Sequence, residues 1–202
     1  MLIDRHLPEY DVTVTRHAIV DADPETTYQA MLAVDLLDVG PIVRALGWLR
    51  IVPTHVLERV RGRRPEPMLD RLTFGDLDEI DEWIRLDEEP GDELVVGAVG
   101  TFWQPSIEWR EVDPEAFADF DDPGYAKIAA SLSVRPDDES RTLLTYEVRT
   151  ATTDANSRRR FRRYWRLVRP FAGYLMGKTL ERIAADAERR VRFAGYTAGQ
   201  NG

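Results

Sequence analysis

One long amphipathic segment near the C-terminus limits the folds that are open to this chain. Across residues 154–192, apolar side chains recur at steps of three and four, which places them on one side of a single helix. The stripe consists of Phe161, Trp165, Val168, Ala172, Leu175, Thr179, Ile183 and Ala187. A helix cannot bury such a stripe by itself, so a sheet or other helices must cover it. Pro170 lies inside the segment, where we expect it to bend the helix near Arg166.

Charge is divided unevenly between this segment and the rest of the chain. Residues 154–192 contain 12 basic and 4 acidic side chains, a net charge of +8, whereas the whole chain carries −9. The remainder therefore carries −17. Because an acidic surface repels phosphate, we expect no nucleic-acid partner. We interpret the arginines of residues 158–163 as a solvated helix face that pairs with acidic loops.

Length and composition indicate one globular domain, residues 1–194, followed by a polar tail, residues 195–202. The absence of cysteine excludes disulfides, thiolate metal sites and a cysteine nucleophile. The first ten residues lack the apolar stretch of a secretion signal, and no apolar run approaches the roughly 18 residues of a membrane span. We therefore expect a cytoplasmic protein without a membrane span.

The remaining sequence predicts a strand, two helices and then several antiparallel strands. Residues 10–20 alternate between the two faces of a strand and are rich in β-branched side chains. Asp23 and Pro24 begin a helix, and a second helical segment falls within residues 40–61. A loop at 62–67 and a short helical or irregular stretch at 68–80 follow. The further predicted strands are residues 82–88, 93–103, 107–112, 125–134 and 142–152. A brief helical turn is predicted to begin at residues 113–115 and to end before residue 121.

Alternation also predicts which side chains of the strands face inward. The inner positions of the last two strands are Ile128, Ala130, Leu132, Val134, Thr142, Leu144, Tyr146 and Val148. Lys127, Glu147 and Arg149 fall on the opposite face, where we expect cross-strand ion pairs. Gly97 and Gly100 indicate a bulge or a close approach by another group.

These elements predict an α+β fold of the helix-grip kind, in which a curved antiparallel sheet wraps around the long C-terminal helix. Two short helices after the first strand close the sheet at one end. In the long helix, Gly173 and Gly177 have no side chains, so we expect a strand or a ligand to approach the helix backbone there.

Three stretches carry a resemblance to a known superfamily. They read PGDELVVGAVGTFWQP at 90–105, PGYAK at 123–127 and FRRYWRLVRPF at 161–171. With the order of elements, they resemble a bacterial and archaeal branch of the START-like, or SRPBCC, superfamily over about residues 7–190. The resemblance implies a cavity between sheet and helix. Because the superfamily includes lipid carriers, hormone-binding proteins, polyketide cyclases and chaperone activators, it does not select one function.

The residues that bear on chemistry are mostly aromatic. His6, His17 and His55 are far apart and lack the spacing of metal ligands, so we expect no metal and no cofactor. Aromatic side chains fall on elements that border the space between sheet and helix, where they either fill a core or line a cavity. The predicted ligand-binding residues are Arg16, Trp83, Phe102, Trp103, Trp109, Tyr146, Trp165 and Tyr174, and Trp48 and Tyr125 belong to the same aromatic set.

Three functions are consistent with these residues. The first is binding of a hydrophobic or amphipathic small molecule between the sheet and the helix, as in a lipid-binding protein. The second is an enzyme of the cyclase or dehydrase type that uses a tyrosine or an arginine in the same cavity. The third is a protein-interaction module that acts through the acidic face of the sheet. Ligand identity, catalysis and oligomeric state are left open by the sequence.

Arg16 is the exception on its strand, because the other inward positions of residues 10–20 are mostly apolar. A buried guanidinium costs several kcal/mol unless it is paired. Three outcomes are open: a bulge turns Arg16 outward, a carboxylate such as Glu108 pairs with it, or a ligand oxygen does.

Overall fold

The computed structural model describes residues 1–35, 73–76, 82–138 and 140–199, with side chains to residue 194. Its helices are α1 (Ile3–His6), α2 (Pro24–Ala33) and α3 (Ala155–Gly199), and one 3-10 turn spans Pro114–Ala116. Its strands are β1 (Val12–Val20), β2 (Ile84–Glu89), β3 (Glu93–Gly100), β4 (Ala126–Pro136) and β5 (Thr142–Thr152). The predicted second helix at 40–61 and the loop at 62–67 lie outside the described residues, as do Trp48 and His55.

The five strands form one antiparallel sheet in the order β1-β5-β4-β3-β2. Helix α3 lies across one face of it, mainly over β1 and β5, and also packs against α2. In the described part of the chain, the fold is therefore α+β, with a five-stranded antiparallel sheet, one short helix after the first strand and one long C-terminal helix. This arrangement confirms the predicted helix-grip class.

Residues 107–112 were predicted as a strand, and that prediction is wrong. The segment contributes only an isolated bridge between Gly100 and Trp109. Pro105 precedes it and Pro114 follows it. Because proline cannot donate a hydrogen bond to a neighbouring strand, few residues between the two prolines can pair. The hairpin between β2 and β3 is confirmed: Gly91 has φ +85° and the Asp92 amide donates to the Glu89 carbonyl at 2.9 Å.

The predicted start of α2 is confirmed, and α3 begins in a similar way. Asp23 Oδ1 accepts from the Thr26 amide at 2.9 Å, and Pro24 occupies the first turn. Asp154 accepts from the Ser157 hydroxyl at 2.6 Å and from the Ser157 amide at 3.0 Å. It also accepts from the amide of Gly124 at 2.7 Å, which ties the start of α3 to the loop before β4. These bonds hold the pKa of Asp154 far below its usual range.

The face of the sheet away from α3 is also covered, which the sequence prediction did not foresee. Its core consists of Leu2, Ile3, Leu7, Leu86, Val95, Val99, Phe117 and Ala129. Consequently every residue of β3 is buried. Glu93, 1% exposed, accepts from the amide of Leu2 at 2.9 Å and from the hydroxyl of Ser131 at 2.7 Å, so it anchors α1 on this face.

Among the described residues, Lys127, Glu147 and Arg149 form no cross-strand ion pair, contrary to the prediction. Arg149 Nε donates to Glu147 Oε1 at 2.7 Å within the same strand, and Arg149 Nη1 lies 2.8 Å from Asp4 Oδ1. Lys127 donates to the backbone carbonyl of Ala118 at 2.7 Å. The prediction failed because the N-terminal segment and the loop after the 3-10 turn supply partners that strand alternation does not reveal.

Candidate functional site

Three rows of side chains cross the face of the sheet beneath α3. One row consists of Leu94, Leu132, Tyr146 and Arg16, the next of Val96, Ala130, Val148 and Val14, and the third of Ala98, Ile128, Thr150 and Val12. The middle row contains only valine and alanine, whose side chains are smaller than the leucine, tyrosine and arginine side chains of the first row. The first and third rows lie four residues apart along each strand, which is roughly 13 Å.

Arg16 keeps the inward parity predicted for it, but it lies at an open edge. Pairing between β1 and β5 is continuous from Val12 to Val20, so no bulge turns Arg16 away. Arg16 Nη1 donates to the Thr15 carbonyl at 2.9 Å, and the residue stays exposed because β1 is an edge strand. Glu108 accepts instead from the Tyr125 hydroxyl at 2.8 Å. The first two of the three predicted outcomes are therefore wrong.

The guanidinium of Arg16 lies over Gly173 of α3. A Cβ placed on Gly173 would meet the Arg16 side chain, with Cζ only 3.2 Å away. At Gly177 a Cβ would meet no atom within 4 Å. The predicted close approach is therefore confirmed at Gly173, where the partner is a strand residue.

Tyr146 lies directly opposite Arg16 across the β1–β5 pair. Phe74 meets its ring edge-on, with centroids 5.9 Å apart. Its phenol has no hydrogen-bond partner among the described residues, although the side chain keeps partial access to solvent. Burial raises the pKa of Tyr146 to about 12, so the phenol is neutral at pH 7 and can donate a hydrogen bond.

A group of aromatic rings lies toward the third row. Phe161, 1% exposed, stacks on Trp165 with ring centroids 5.8 Å apart and meets Trp103 edge-on at 6.4 Å. Trp103 belongs to a cluster with Ala98, Phe102, Ala126, Ile107 and Ile128. Its indole nitrogen is buried and has no hydrogen-bond partner in the part of the chain that the structure describes.

The structure brings some predicted site residues together and leaves others apart. Trp83 packs against both clusters on the helix face, one containing Tyr146 and the other Phe102 and Trp103. Trp109 is 37% exposed and meets this space at its margin, through the ring of Phe102 and the backbone bridge to Gly100. Tyr174 is 41% exposed on the outer side of α3, where Lys178 Nζ lies 5.9 Å from its ring centroid.

Sequence reasoning missed two contributors to this face. Phe74 falls in the stretch 68–80, which shows no clear periodicity, so no pattern assigned it to Tyr146. Phe161 was placed on the apolar stripe of the helix, but its role between Trp103 and Trp165 depends on a loop position that periodicity cannot give.

A cleft of about 460 Å³ lies on the other face of the sheet. His6, Tyr10, Phe120, Lys127 and Arg158 are among the residues that line it. Burial lowers the pKa of Lys127, whose ammonium lies 5.8 Å from the centroid of the Phe117 ring. Arg158 is neutralised by Asp11, whose Oδ1 lies 2.6 Å from Arg158 Nε. The cationic groups of this cleft therefore already have partners within the protein.

Among the described residues, no group of three or more His, Asp or Glu side chains is placed to hold a metal ion. The described helices include none that is both long and apolar enough to cross a membrane.

Comparison with known proteins finds only distant likenesses among solved structures. No protein-family model and no curated sequence matches the chain. Among solved structures, the Zhui aromatase/cyclase from Streptomyces sp. R1128 shares 15% identity at a TM-score of 0.34, covering 91% of this chain and 98% of that one. Protein MLL2253 from Mesorhizobium loti shares 16% identity at a TM-score of 0.38, covering 88% and 98%. Hypothetical protein jhp0584 from Helicobacter pylori shares 13% identity at a TM-score of 0.38, covering 91% and 93%. Likenesses this distant say nothing about what this chain binds.

Proposed function

We propose that this protein binds an apolar or amphipathic small molecule between the sheet and α3, and that an acceptor oxygen of the molecule bonds to Trp103. The observation that carries this proposal is the buried indole N–H of Trp103, which has no partner among the described residues. A buried donor left unpaired costs roughly 1–3 kcal/mol. A ligand oxygen at this point removes that cost.

Tyr146 supports the same proposal from the opposite end of the space. Its phenol is also without a partner among the described residues, and its row lies roughly 13 Å from the row nearest Trp103. The small side chains of Val96, Ala130 and Val148 lie between the two. A molecule with an apolar body and polar atoms toward its ends fits this distribution. It also agrees with the binding role that the START-like resemblance implies.

Two fluorescent probes test the proposal. Laurdan carries a ketone on an apolar body, whereas diphenylhexatriene is a hydrocarbon of comparable length. Trp103→Phe keeps the ring and removes the donor, so we expect Laurdan affinity to fall by up to about tenfold, the value of one hydrogen bond. Diphenylhexatriene should bind both proteins equally.

Trp109→Phe is the matched control, because Trp109 is exposed and adjoins the same cluster. It should leave the affinities of both probes unchanged. No binding of either probe to the wild type would contradict the proposal, and so would an equal loss of both probes in Trp103→Phe.

The alternative is an enzyme of the cyclase or dehydrase type in the same space. It is favoured by the position of Tyr146 opposite Arg16, because a neutral phenol and a guanidinium can both donate to one keto oxygen. The test is the fate of a bound metabolite. An enzyme releases it chemically altered, and Tyr146→Phe then retains binding while losing turnover, whereas a carrier returns it unchanged.

A further inference from the structure

The outer side of α3 carries a cluster of arginines without acidic partners. Between residues 155 and 180 the sequence contains no Asp or Glu. Six exposed arginines in this stretch have no ion-pair or hydrogen-bond partner among the described residues. They are Arg159, Arg160, Arg162, Arg163, Arg166 and Arg169. The predicted pairing with acidic loops holds only for Arg158, which binds Asp11 at 2.6 Å.

This lack of partners is unusual for the molecule, which contains 36 acidic residues. Elsewhere arginines find acids at the surface: Arg110 lies 3.4 Å from Asp122, and Arg141 lies 2.7 Å from Asp138. Further along the same helix, Arg190 lies 2.8 Å from Asp186. The six arginines therefore keep their charge uncompensated by close contacts.

Large apolar side chains lie among these arginines. Leu167 is 74% exposed, Phe171 is 49% exposed and Tyr174 is 41% exposed. They are spaced i, i+4 and i+7, so they form one line along the outside of the helix, which continues through Arg163 and Arg160. By the same spacing Arg162 and Arg169 align with Trp165 on the other side of the helix. We call the outer surface, formed by Arg159, Arg160, Arg163 and Arg166 with Leu167, Phe171 and Tyr174, the arginine face.

We propose that the arginine face docks on an anionic lipid surface. A membrane interface accepts an amphipathic helix that inserts leucine and aromatic side chains at the level of the headgroups, while arginines bond to the phosphates. The described sheet and its loops are acidic and lie on the opposite side of α3, so they face away from the bilayer and the charge asymmetry also orients the molecule.

Other occupants fit less well. A symmetric pairing of this face with a second copy places arginines against arginines. Nucleic acid would leave the exposed apolar side chains of this face without a contact, and the acidic remainder of the protein repels phosphate. An acidic protein could pair with the arginines, but it must also present a groove that fits the protruding helix. An anionic lipid surface requires no such groove.

Vesicle sedimentation with the full chain tests the proposal at low ionic strength. The wild type should bind vesicles of equal phosphatidylglycerol and phosphatidylcholine, and bind vesicles of phosphatidylcholine alone far less. Replacement of Arg159, Arg163 and Arg166 by Gln should lower the partition coefficient by about 100-fold, since each basic side chain near an anionic surface contributes about fivefold. Leu167→Gln should lower it by about tenfold or more.

The matched control replaces Arg141, Arg189 and Arg190 by Gln, which changes net charge equally but removes arginines that already pair with Asp138 or Asp186. It should bind anionic vesicles as the wild type does. Equal binding to neutral and anionic vesicles, no binding to either, or the same loss in the control would each overturn the proposal. Binding to polyglutamate or DNA without binding to vesicles would assign the face to a soluble acidic partner and overturn it as well. Circular dichroism shows whether each variant keeps its fold.

Discussion

The guanidinium of Arg16 occupies the space beside Gly173 that the side chain of any other residue would fill. Arg16 lies on the edge strand β1 and Gly173 on the helix above it, and a Cβ at residue 173 would come within 3.2 Å of Arg16 Cζ. Tyr146 adjoins the same point across the β1–β5 pair. One glycine therefore determines how closely a cationic group approaches the helix beside the proposed ligand space.

Replacing Gly173 and Gly177 of α3 by alanine, one at a time, separates the effect of helix propensity from that of the contact with Arg16. Gly177→Ala should raise the free energy of unfolding by roughly 0.5–1 kcal/mol, because alanine is the better helix former and the space beside it is open. Gly173→Ala should gain less or lose, since the Arg16 side chain must move. Urea unfolding measures both changes. Equal gains would show that Arg16 does not occupy this space in solution.

Arg16 itself is expected to recognise an anionic or keto group of the ligand. Arg16→Leu should fold normally, because the residue is exposed, but bind a fluorescent fatty acid at least about tenfold more weakly, a loss of roughly 1.4 kcal/mol. A neutral probe of the same length serves as the control and should be almost unaffected. Equal weakening of both probes, or of neither, would remove Arg16 from the binding site.

Phe161 and Trp165 stack on each other, but we expect Phe161 to contribute mainly to stability and Trp165 mainly to ligand binding. Phe161 is 1% exposed, so Phe161→Ala should cost roughly 3–5 kcal/mol of unfolding free energy. Trp165 is only partly buried, so Trp165→Ala should cost clearly less while weakening probe affinity. Urea unfolding and probe titration give the two quantities. If Trp165→Ala loses as much stability as Phe161→Ala, Trp165 is a core residue. If it changes neither stability nor binding, it has no part in the site.

Tyr146 should make the protein less stable at alkaline pH. Its pKa in the folded state is about 12, against roughly 10 in an unfolded chain, so unfolding releases a proton between these values. The contribution of the neutral Tyr146 phenol to the free energy of unfolding is fully present below pH 10. It declines by up to roughly 3 kcal/mol as pH rises to 12. Tyr146→Phe should remove this part of the decline, so the two unfolding free energies should converge or cross above pH 10. Parallel curves from pH 8 to 12 would contradict the burial of this phenol.

The periodic parts of the fold were predictable because they depend on local sequence. Alternation in β4 and β5 identified the inner positions, Thr142–Thr152 was predicted to the residue, and Asp23 was recognised as a helix cap. Alternation assigns a side chain to one face, but it does not say what covers that face. The burial of Arg149 beneath the N-terminal segment and of Lys127 beneath the loop after the 3-10 turn was therefore not foreseen.

The candidate site was predictable only as a set of residue types. Trp103, Tyr146 and Trp165 were named correctly as lying on elements that border the helix face, whereas Trp109 and Tyr174 are largely at the surface. That difference depends on the path of the loop after β3 and on the rotation of α3, which are set by long-range packing. The partnerless state of the Trp103 indole is a property of three-dimensional contacts and has no signature in the sequence.

Native mass spectrometry of the protein purified from its own host tests the central claim most directly. We expect a bound small molecule that is retained under gentle ionisation and lost on denaturation. In a protein carrying both Trp103→Phe and Tyr146→Phe, which removes the two unpaired donors, the occupied fraction should fall sharply. A wild-type spectrum that shows only the bare chain, or equal occupancy in the double variant, would contradict a ligand site between the sheet and α3.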